Sequence, residues 1–471
     1  MCKRSRFLAS FLFLSFLLIS SVAFAQLFND KVDYAAGSGA YSVYCADLDG
    51  DLDKDLAVAN YTGTSVSILK NNGDGTFQTK VDYTTGTLPT SVFCADLDGD
   101  LDMDLAVANV TSNTVSILKN NGDGTFQTKV DYATGSGARS VFCADLDGDT
   151  DLDLAVANYT GTSVSILKNN GDGTFQAKTD YAVGSGPRVI YCADLDGDTD
   201  LDLAVANSGT NNVSVLKNNG DGTFQAKVDY AAGTGARSVF CVDLDGDTDK
   251  DLAVANYGAS TVSIFKNNGD GTFQFGVNYS TGNAPASVYC VDLDDDDDLD
   301  LAVANYTSSS VSTLRNNGDG TFLAKVDFAS GSGAMSVFGA DLDGDSYVDL
   351  AVANQNGNNV SILLNATTYF AEGPDLTKAN SFLLRQNYPN PFNPVTTIEY
   401  SLPRRSKVVI EVFDILGRRV RQLINESKSA GIYTVIWDGT KHSGIPVSTG
   451  IYFYRIQAGD FVQTKKMLLV K

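Results

Sequence analysis

Aspartate recurs in this chain at a spacing that suits a metal ion. The first such segment reads Asp47-Leu48-Asp49-Gly50-Asp51-Leu52-Asp53-Lys54-Asp55, and six more follow it. Numbered from its first aspartate, each segment is acidic at positions 1, 3, 5 and 9. These residues are Asp47, Asp49, Asp51 and Asp55; Asp96, Asp98, Asp100 and Asp104; Asp145, Asp147, Asp149 and Asp153; Asp194, Asp196, Asp198 and Asp202; Asp243, Asp245, Asp247 and Asp251; Asp292, Asp294, Asp296 and Asp300; Asp341, Asp343, Asp345 and Asp349. Alternating carboxylates closed by a further acid can converge on a hard cation that takes roughly six to eight oxygen ligands. Gly at position 4 allows the bend that aims positions 1, 3 and 5 at one point. Position 7 is Tyr347 in the last copy, so a backbone carbonyl is expected there. Calcium, up to seven ions with one per segment, is the expected cation, because magnesium resists dehydration by a crowded protein cage. The sixth copy departs most: Asp295 replaces the glycine, and seven of the nine residues from Asp292 to Asp300 are Asp.

What positions these acids is a repeat. Cys45, Cys94, Cys143, Cys192, Cys241 and Cys290, with Gly339 in the last copy, are spaced 49 residues apart. Leu-Ala-Val-Ala-Asn follows position 9, a strand pattern where an EF-hand has a helix, so each acidic loop bridges two strands. In the second copy the strand-like runs are Ser91–Leu97, Leu105–Asn109, Thr114–Lys119 and Phe126–Tyr132, with a Gly-rich hairpin turn, Asn-Asn-Gly-Asp-Gly-Thr, before the last. Four short antiparallel strands in that length make one propeller blade. The expected fold is all-β: a seven-bladed β-propeller over 26–365, then a small C-terminal Ig-like β-sandwich. Phe28–Tyr34 carries the fourth-strand pattern ahead of the first copy, and the last copy lacks that strand. It is therefore expected to complete the last blade and remove the exposed edges.

The units resemble FG-GAP/VCBS repeats, as in the propeller of integrin α-subunits. The matching pieces are D-L-D-G-D-x-D-x-D-L-A-V-A-N and L-K-N-N-G-D-G-T-F, over about residues 28–365. The resemblance implies a seven-bladed propeller with calcium in the loops between first and second strands, used mainly for extracellular recognition.

The opposite face of such a ring varies between copies. Just before each first strand stand Tyr41, Thr90, Arg139, Arg188, Arg237, Ala286 and Met335, and the loops after the second strands add Tyr61, Tyr159, Tyr257 and Tyr306. Arg139, Arg188 and Arg237 with Tyr159 and Tyr257 are the candidate ligand-binding residues, suited to an acidic glycan or a carboxylate-bearing partner. The in-phase cysteines are expected to be small buried residues, because equivalent positions on adjacent blades fan out beyond disulfide reach.

The ends of the chain speak to location. Residues 1–25 read as a secretory signal: Lys3, Arg4 and Arg6, the apolar run Phe7 to Ile19, then Ala23-Phe24-Ala25. The mature protein is expected to begin at Gln26 and to lack a transmembrane segment. Residues 366–380 form a linker. Residues 381–471 carry NYPNPFNP, VFDILGRRV, WDGTKHSG and GIYFYRIQAGDFVQTKKMLLVK, and resemble the C-terminal sorting domain of the type IX secretion system of Bacteroidota-like bacteria. That resemblance implies export by this machinery and a secreted or outer-membrane surface location in a Gram-negative cell.

The chain of 471 residues has a net charge of −23, with −33 on residues 26–379 and +7 on 380–471, which argues against nucleic-acid binding. Residues 26–365 hold no His, Glu or Trp, and the lone His442 lies in the C-terminal segment. Serine–histidine chemistry is thereby excluded from the ring. The expectation is a recognition or adhesion module for extracellular glycan or protein, not an enzyme. The alternatives are a calcium-dependent polysaccharide lyase and a purely structural surface-layer component.

Overall fold

The computed structural model describes residues 27–366 and 382–470, apart from 386, 388, 389, 391, 403, 430, 442–444 and 460. Residues 1–25, read as a secretory signal, and 367–380 of the expected linker lie outside the described residues. The chain divides into two compact units, Met1–Thr368 and Tyr369–Lys471. Among the described residues no helix is long and apolar enough to cross a membrane.

The first unit holds seven four-stranded antiparallel sheets among its described residues. In the first repeat the strands are Ala40–Ala46, Asp55–Asn60, Ser65–Leu69 and Val81–Thr84. The last sheet is built from both ends of the unit: Val32–Ala35 pairs antiparallel with Asn359–Leu363, Val32 opposite Ile362. Every first strand packs against the first strand of the next sheet, and Ala40–Ala46 meets Ala334–Ala340, so the sheets form a closed ring, the arrangement of a β-propeller.

The second strand explains the packing. In Asp55–Asn60 every residue is buried, as expected of a strand covered on both faces. Side chains alternate across a strand, so Leu56 and Val58 leave by one face and Ala57 and Ala59 by the other. Leu56 and Val58 pack on Ala351 and Ala353 of the last sheet, while Ala57 and Ala59 receive Leu105 and Val107 of the second. Large meets small at each junction, which lets the sheets approach closely without voids. The fourth strands form the exposed outer rim.

An asparagine ties each sheet to the one before it. Asn120 Nδ2 donates to Leu48 O at 2.8 Å and to Met103 O of its own loop at 3.0 Å. The same bond recurs around the ring, and Asn71 Nδ2 closes it by donating to Leu342 O at 2.8 Å. Toward the axis, Tyr44, Phe93, Phe142, Tyr191, Phe240, Tyr289 and Phe338 form a collar. Each ring touches the next, from Tyr44–Phe93 at 4.9 Å between centroids to Phe338–Tyr44 at 4.6 Å. The six cysteines at these sheet junctions are buried and free.

Strand limits differ from the sequence expectation at the first and fourth strands. In the second repeat the first strand is Pro89–Ala95, not Ser91–Leu97, so Thr90 and its counterparts Tyr41, Arg139, Arg188, Arg237, Ala286 and Met335 lie inside the first strands and not just before them. In the second repeat the fourth strand is Val130–Ala133, not Phe126–Tyr132. Phe126 makes only an isolated bridge to Asn120, closing the hairpin before the chain leaves the ladder.

In the second unit, Leu383–Leu384, Thr396–Leu402 and Gly431–Trp437 form one sheet. Ser406–Phe413, Arg419–Lys428, Gly450–Ala458 and Phe461–Leu469 form the other. Their inward side chains share a core that includes Ile398, Tyr400, Ile410, Trp437, Tyr454 and Met467. Arg419–Lys428 runs five residues past Leu423, where the sequence pattern ends; two bulges against Ser406–Phe413 break the alternation that would have signalled it.

Candidate functional site

Each acidic loop is folded by its own carboxylates. Asp47 accepts the Gly50 and Leu52 N–H groups at 2.8 and 3.0 Å, and Asp51 accepts that of Asp53 at 3.0 Å. Asp55, fully buried, accepts the Leu48 N–H at 3.1 Å and the Asn71 N–H at 2.7 Å. It thereby joins the loop to the start of the hairpin turn. These bonds hold position 6 in a left-handed conformation although it is not glycine: φ is 79° at Leu52, 77° at Leu101 and 80° at Thr150.

The acids at positions 1, 3 and 9 converge. In Asp47/Asp49/Asp55, Asp96/Asp98/Asp104, Asp145/Asp147/Asp153, Asp194/Asp196/Asp202 and Asp243/Asp245/Asp251 one oxygen from each residue lies within 4.8 Å of the others, and two further groups of this kind occur. Asp51, Asp100, Asp149, Asp198 and Asp247 at position 5 are exposed and do not join these groups. The Oδ1 atoms of Asp49, Asp98, Asp147, Asp196 and Asp245 are buried with no hydrogen-bond partner. A buried, unpaired carboxylate oxygen is costly, and here one sits in each of five acid clusters. All-oxygen donors of this kind fit a hard divalent cation such as calcium. Burial pushes the position-9 carboxyls up, to about 6 for Asp55, Asp104, Asp153, Asp202 and Asp251 and about 7 for Asp300 and Asp349. A bound cation would reverse that shift.

Two loops depart. In the sixth, Asp292 Oδ1 accepts the Asp295 N–H at 2.8 Å, and Asp295 holds a φ of 62° where the other loops have glycine. In the seventh, Asp343 Oδ1 accepts the Asp345 N–H at 3.2 Å.

Sequence reasoning missed the loops' basic partner. Lys70, Lys119, Lys168, Lys217, Lys266 and Arg315 pair with the position-3 acids at 2.9–3.1 Å. Lys70 also donates to Asp123 O of the next repeat at 2.5 Å. The signal was a basic residue recurring in phase just before Asn-Asn-Gly-Asp-Gly; Leu364 replaces it in the last copy. Position 7 has its own neighbour: a Cβ on Gly73 would stand 2.6 Å from Asp53 Oδ2, so this carboxylate packs on the hairpin turn. The last repeat lacks that turn and has Tyr347 there.

At the axis on the opposite face lies a cavity of about 280 Å³, bounded by the side chains at the second position of each first strand and by the aromatic collar. Arg139, Arg188 and Arg237 meet there. Arg139 donates to the Tyr41 hydroxyl, Arg237 does so at 3.0 Å, and Arg188 Nε donates to Ser208 Oγ at 2.9 Å. Tyr159 lies under both Arg139 and Arg188, at 5.3 and 4.9 Å from its ring centroid, and Tyr257 under Arg237 at 4.5 Å. All five candidate ligand-binding residues are thus together, with Tyr41 at their centre. Burial raises the Tyr41 hydroxyl, but Arg237, Arg139 and Arg188 outweigh it and hold it below the ordinary tyrosine value. Burial and the other two arginines push Arg188 down to about 10.

Known proteins resemble both units. Residues 394–460 match the FlgD Ig-like domain. Nothing among curated proteins matches the sequence. Solved structures are similar to the chain at low identity. BBS1N, in complex with ARL6DN, is 14% identical over 73% of this chain and 98% of its own, with a TM-score of 0.54. An Agrocybe aegerita lectin that recognises non-reducing terminal N-acetylglucosamine is 21% identical over 68% and 87%, with a TM-score of 0.48. PorZ, a surface component of the type-IX secretion system of Porphyromonas gingivalis, is 13% identical over 93% and 60%, with a TM-score of 0.47. The FG-GAP-like repeat matches six overlapping spans, 47–107, 96–156, 145–205, 194–254, 243–303 and 292–352, each running from one acidic loop through the next. Those spans cover most of the chain and all seven loops, and the chain belongs to the FG-GAP-like repeat family.

Proposed function

We propose that this chain is an exported, seven-bladed propeller, clamped by calcium, that acts as a recognition or adhesion module for an extracellular glycan or protein. Positions 1, 3 and 9 of each loop would hold the ion, with position 5 at the rim. Bound there, calcium supplies the positive charge that draws the loop's carboxylates together and fixes the hairpin between first and second strands. The C-terminal unit, on the motifs quoted above, serves as a type IX sorting domain and places the protein at the outer surface or in the medium.

One observation carries the recognition reading. Three half-buried guanidiniums meet at the channel mouth with no acidic side chain paired to them among the described residues, in a segment of net charge −33. Arrays of extracellular glycans and matrix proteins, probed in calcium and in chelator, test it. Saturable, calcium-dependent binding is expected; binding to nothing would leave a structural surface-layer role.

A second reading, a polysaccharide lyase, is favoured by Tyr41 alone, since a phenol held below its usual pKa suits proton transfer. Unsaturated products from acidic polysaccharides would establish it, and their absence would end it.

A further inference from the structure

We infer that the channel mouth is an end-on receptor for a single uronic-acid unit, its carboxylate held by Arg139, Arg188 and Arg237 and its sugar ring directed toward the aromatic collar. This rests on the recognition reading above and narrows it to one ligand class and one site.

The charge arrangement comes first. At the strand ends on the other face, Lys70 and its counterparts each have an aspartate. At the mouth the guanidiniums have the Tyr41 and Ser208 hydroxyls, the Met335 sulfur and aromatic faces as partners, and no carboxylate among the described residues. Like charges brought together away from bulk water repel, and an anion between them removes that cost. The planar guanidinium fork matches a carboxylate better than a point charge does. The Tyr41 hydroxyl, accepting from two arginines, occupies the place of a carboxylate oxygen.

Size and shape come second. A cavity near 280 Å³ falls just below the roughly 300–1,000 Å³ of drug-sized pockets. It takes one residue-sized group from the end of a chain, not a chain passing through. The collar behind the arginines offers an apolar surface for the C–H face of a sugar ring.

The inner strands argue against a peptide. An extended peptide would need their free edge amides. Those of Val43, Val92, Val141, Ile190 and Val288 already donate to serine hydroxyls of the neighbouring sheet, at 3.3–3.5 Å.

The test is calorimetric titration of the full chain in calcium with sodium D-glucuronate, D-glucose, sodium sulfate and a short peptide bearing a free C-terminal carboxylate. Glucuronate is expected to bind at least about tenfold more tightly than the other three, and to weaken with added salt. The double variant Arg188→Gln, Arg237→Gln should lose about tenfold or more, with its melting temperature in calcium unchanged or raised as repulsion is relieved. If that variant melts lower, Arg139→Lys decides, since it keeps the charge and removes the fork; it should still weaken glucuronate. Glucuronate no tighter than glucose, sulfate or peptide binding as well, or a folded variant binding like the parent overturns the inference. An array ligand that lacks a uronate and still binds the double variant removes this inference and leaves the recognition reading standing. A protein that binds nothing removes both.

Discussion

The two faces of the ring use the same strands to opposite ends. On the loop face the four acids recur seven times, and the position-3 acid meets a lysine or arginine in six of the loops. On the mouth face the equivalent residues are Tyr41, Thr90, Arg139, Arg188, Arg237, Ala286 and Met335, and three like charges meet. A device needed by each sheet can be copied with the sheet. A single binding site cannot, and must come from breaking the repeat. The axis is where that break has effect, because there side chains from non-adjacent sheets touch: Arg139 and Arg237 both reach Tyr41, 98 and 196 residues away. The copied face is thus the place to look for stability and the uncopied one for selectivity.

Removing metal should break that division most strongly. Extracellular calcium modules bind at about 10⁻⁴–10⁻³ M, and an ion at ten times its Kd adds roughly 1.4 kcal/mol per site. Summed over the loops, millimolar calcium should raise the melting temperature by about 10 °C or more relative to chelator. A melt indifferent to calcium would leave the acid clusters without their cation. Proton competition gives the second effect. The position-9 carboxyls titrate at about 6 to 7 in the metal-free ring, above an unfolded aspartate. The folded state therefore holds protons that the unfolded chain has released. The resulting stability is complete below about pH 4 and is lost as pH rises through 6 to 7, on the order of 3 kcal/mol for each such carboxyl. In chelator the melting temperature should fall from pH 4.5 to 7.5. In calcium the trend should flatten or reverse, as the ion displaces those protons.

How much of this was legible depends on whether the signal was local. The acids at positions 1, 3 and 9 lie within nine residues, so their convergence could be read from spacing and one glycine. Lys70 could not be paired with Asp49 so easily, because 21 residues and two strands separate them. Arg139, Arg188 and Arg237 could be placed on one face from the repeat phase. That their hub is Tyr41 depended on the diameter of the channel, which no spacing encodes. The collar of Tyr44, Phe93 and their counterparts stood in plain phase, yet inside a strand an in-phase aromatic does not reveal whether it faces a neighbour or the axis. In the C-terminal unit the bulges at Leu423 and Val420 hid the true length of their strand.

Single substitutions sharpen the comparison within the loop face. Asp104→Ala leaves the Asn120 and Leu97 amides, now at 2.8 and 3.2 Å from its oxygens, buried and unpaired. A loss of about 3 kcal/mol is expected by denaturant unfolding, in chelator as well as in calcium. Asp100→Asn, at the exposed rim, should weaken calcium binding and leave the chelated protein unchanged. Equal behaviour of the two variants would contradict the separate roles given to positions 5 and 9. Asn71→Ala removes the clasp to Leu342 across the seam where the two ends of the unit meet, and Asn120→Ala the same clasp inside the ring. Both should lose about 2 kcal/mol. A markedly smaller loss at Asn71 would mean that the ring is open there.

The sixth loop yields the smallest effect and isolates backbone strain from metal binding. Asp295 and Asp297 both take positive φ, 62° and 72°, whereas the other loops place one of their two left-handed residues on glycine. An L-residue in that region costs roughly 1–2 kcal/mol, and Asp295 adds a charge to a loop already crowded with carboxylates. Asp295→Gly should therefore stabilise the protein by about 1 kcal/mol in chelator, part of the gain being offset by the greater freedom of glycine in the unfolded chain. Its side chain is exposed, and its amide keeps the bond to Asp292 whichever residue stands there. Calcium stoichiometry should then be unchanged. A loss of one bound ion on this substitution would instead make the extra carboxylate a ligand, and the sixth loop a different kind of site from its neighbours.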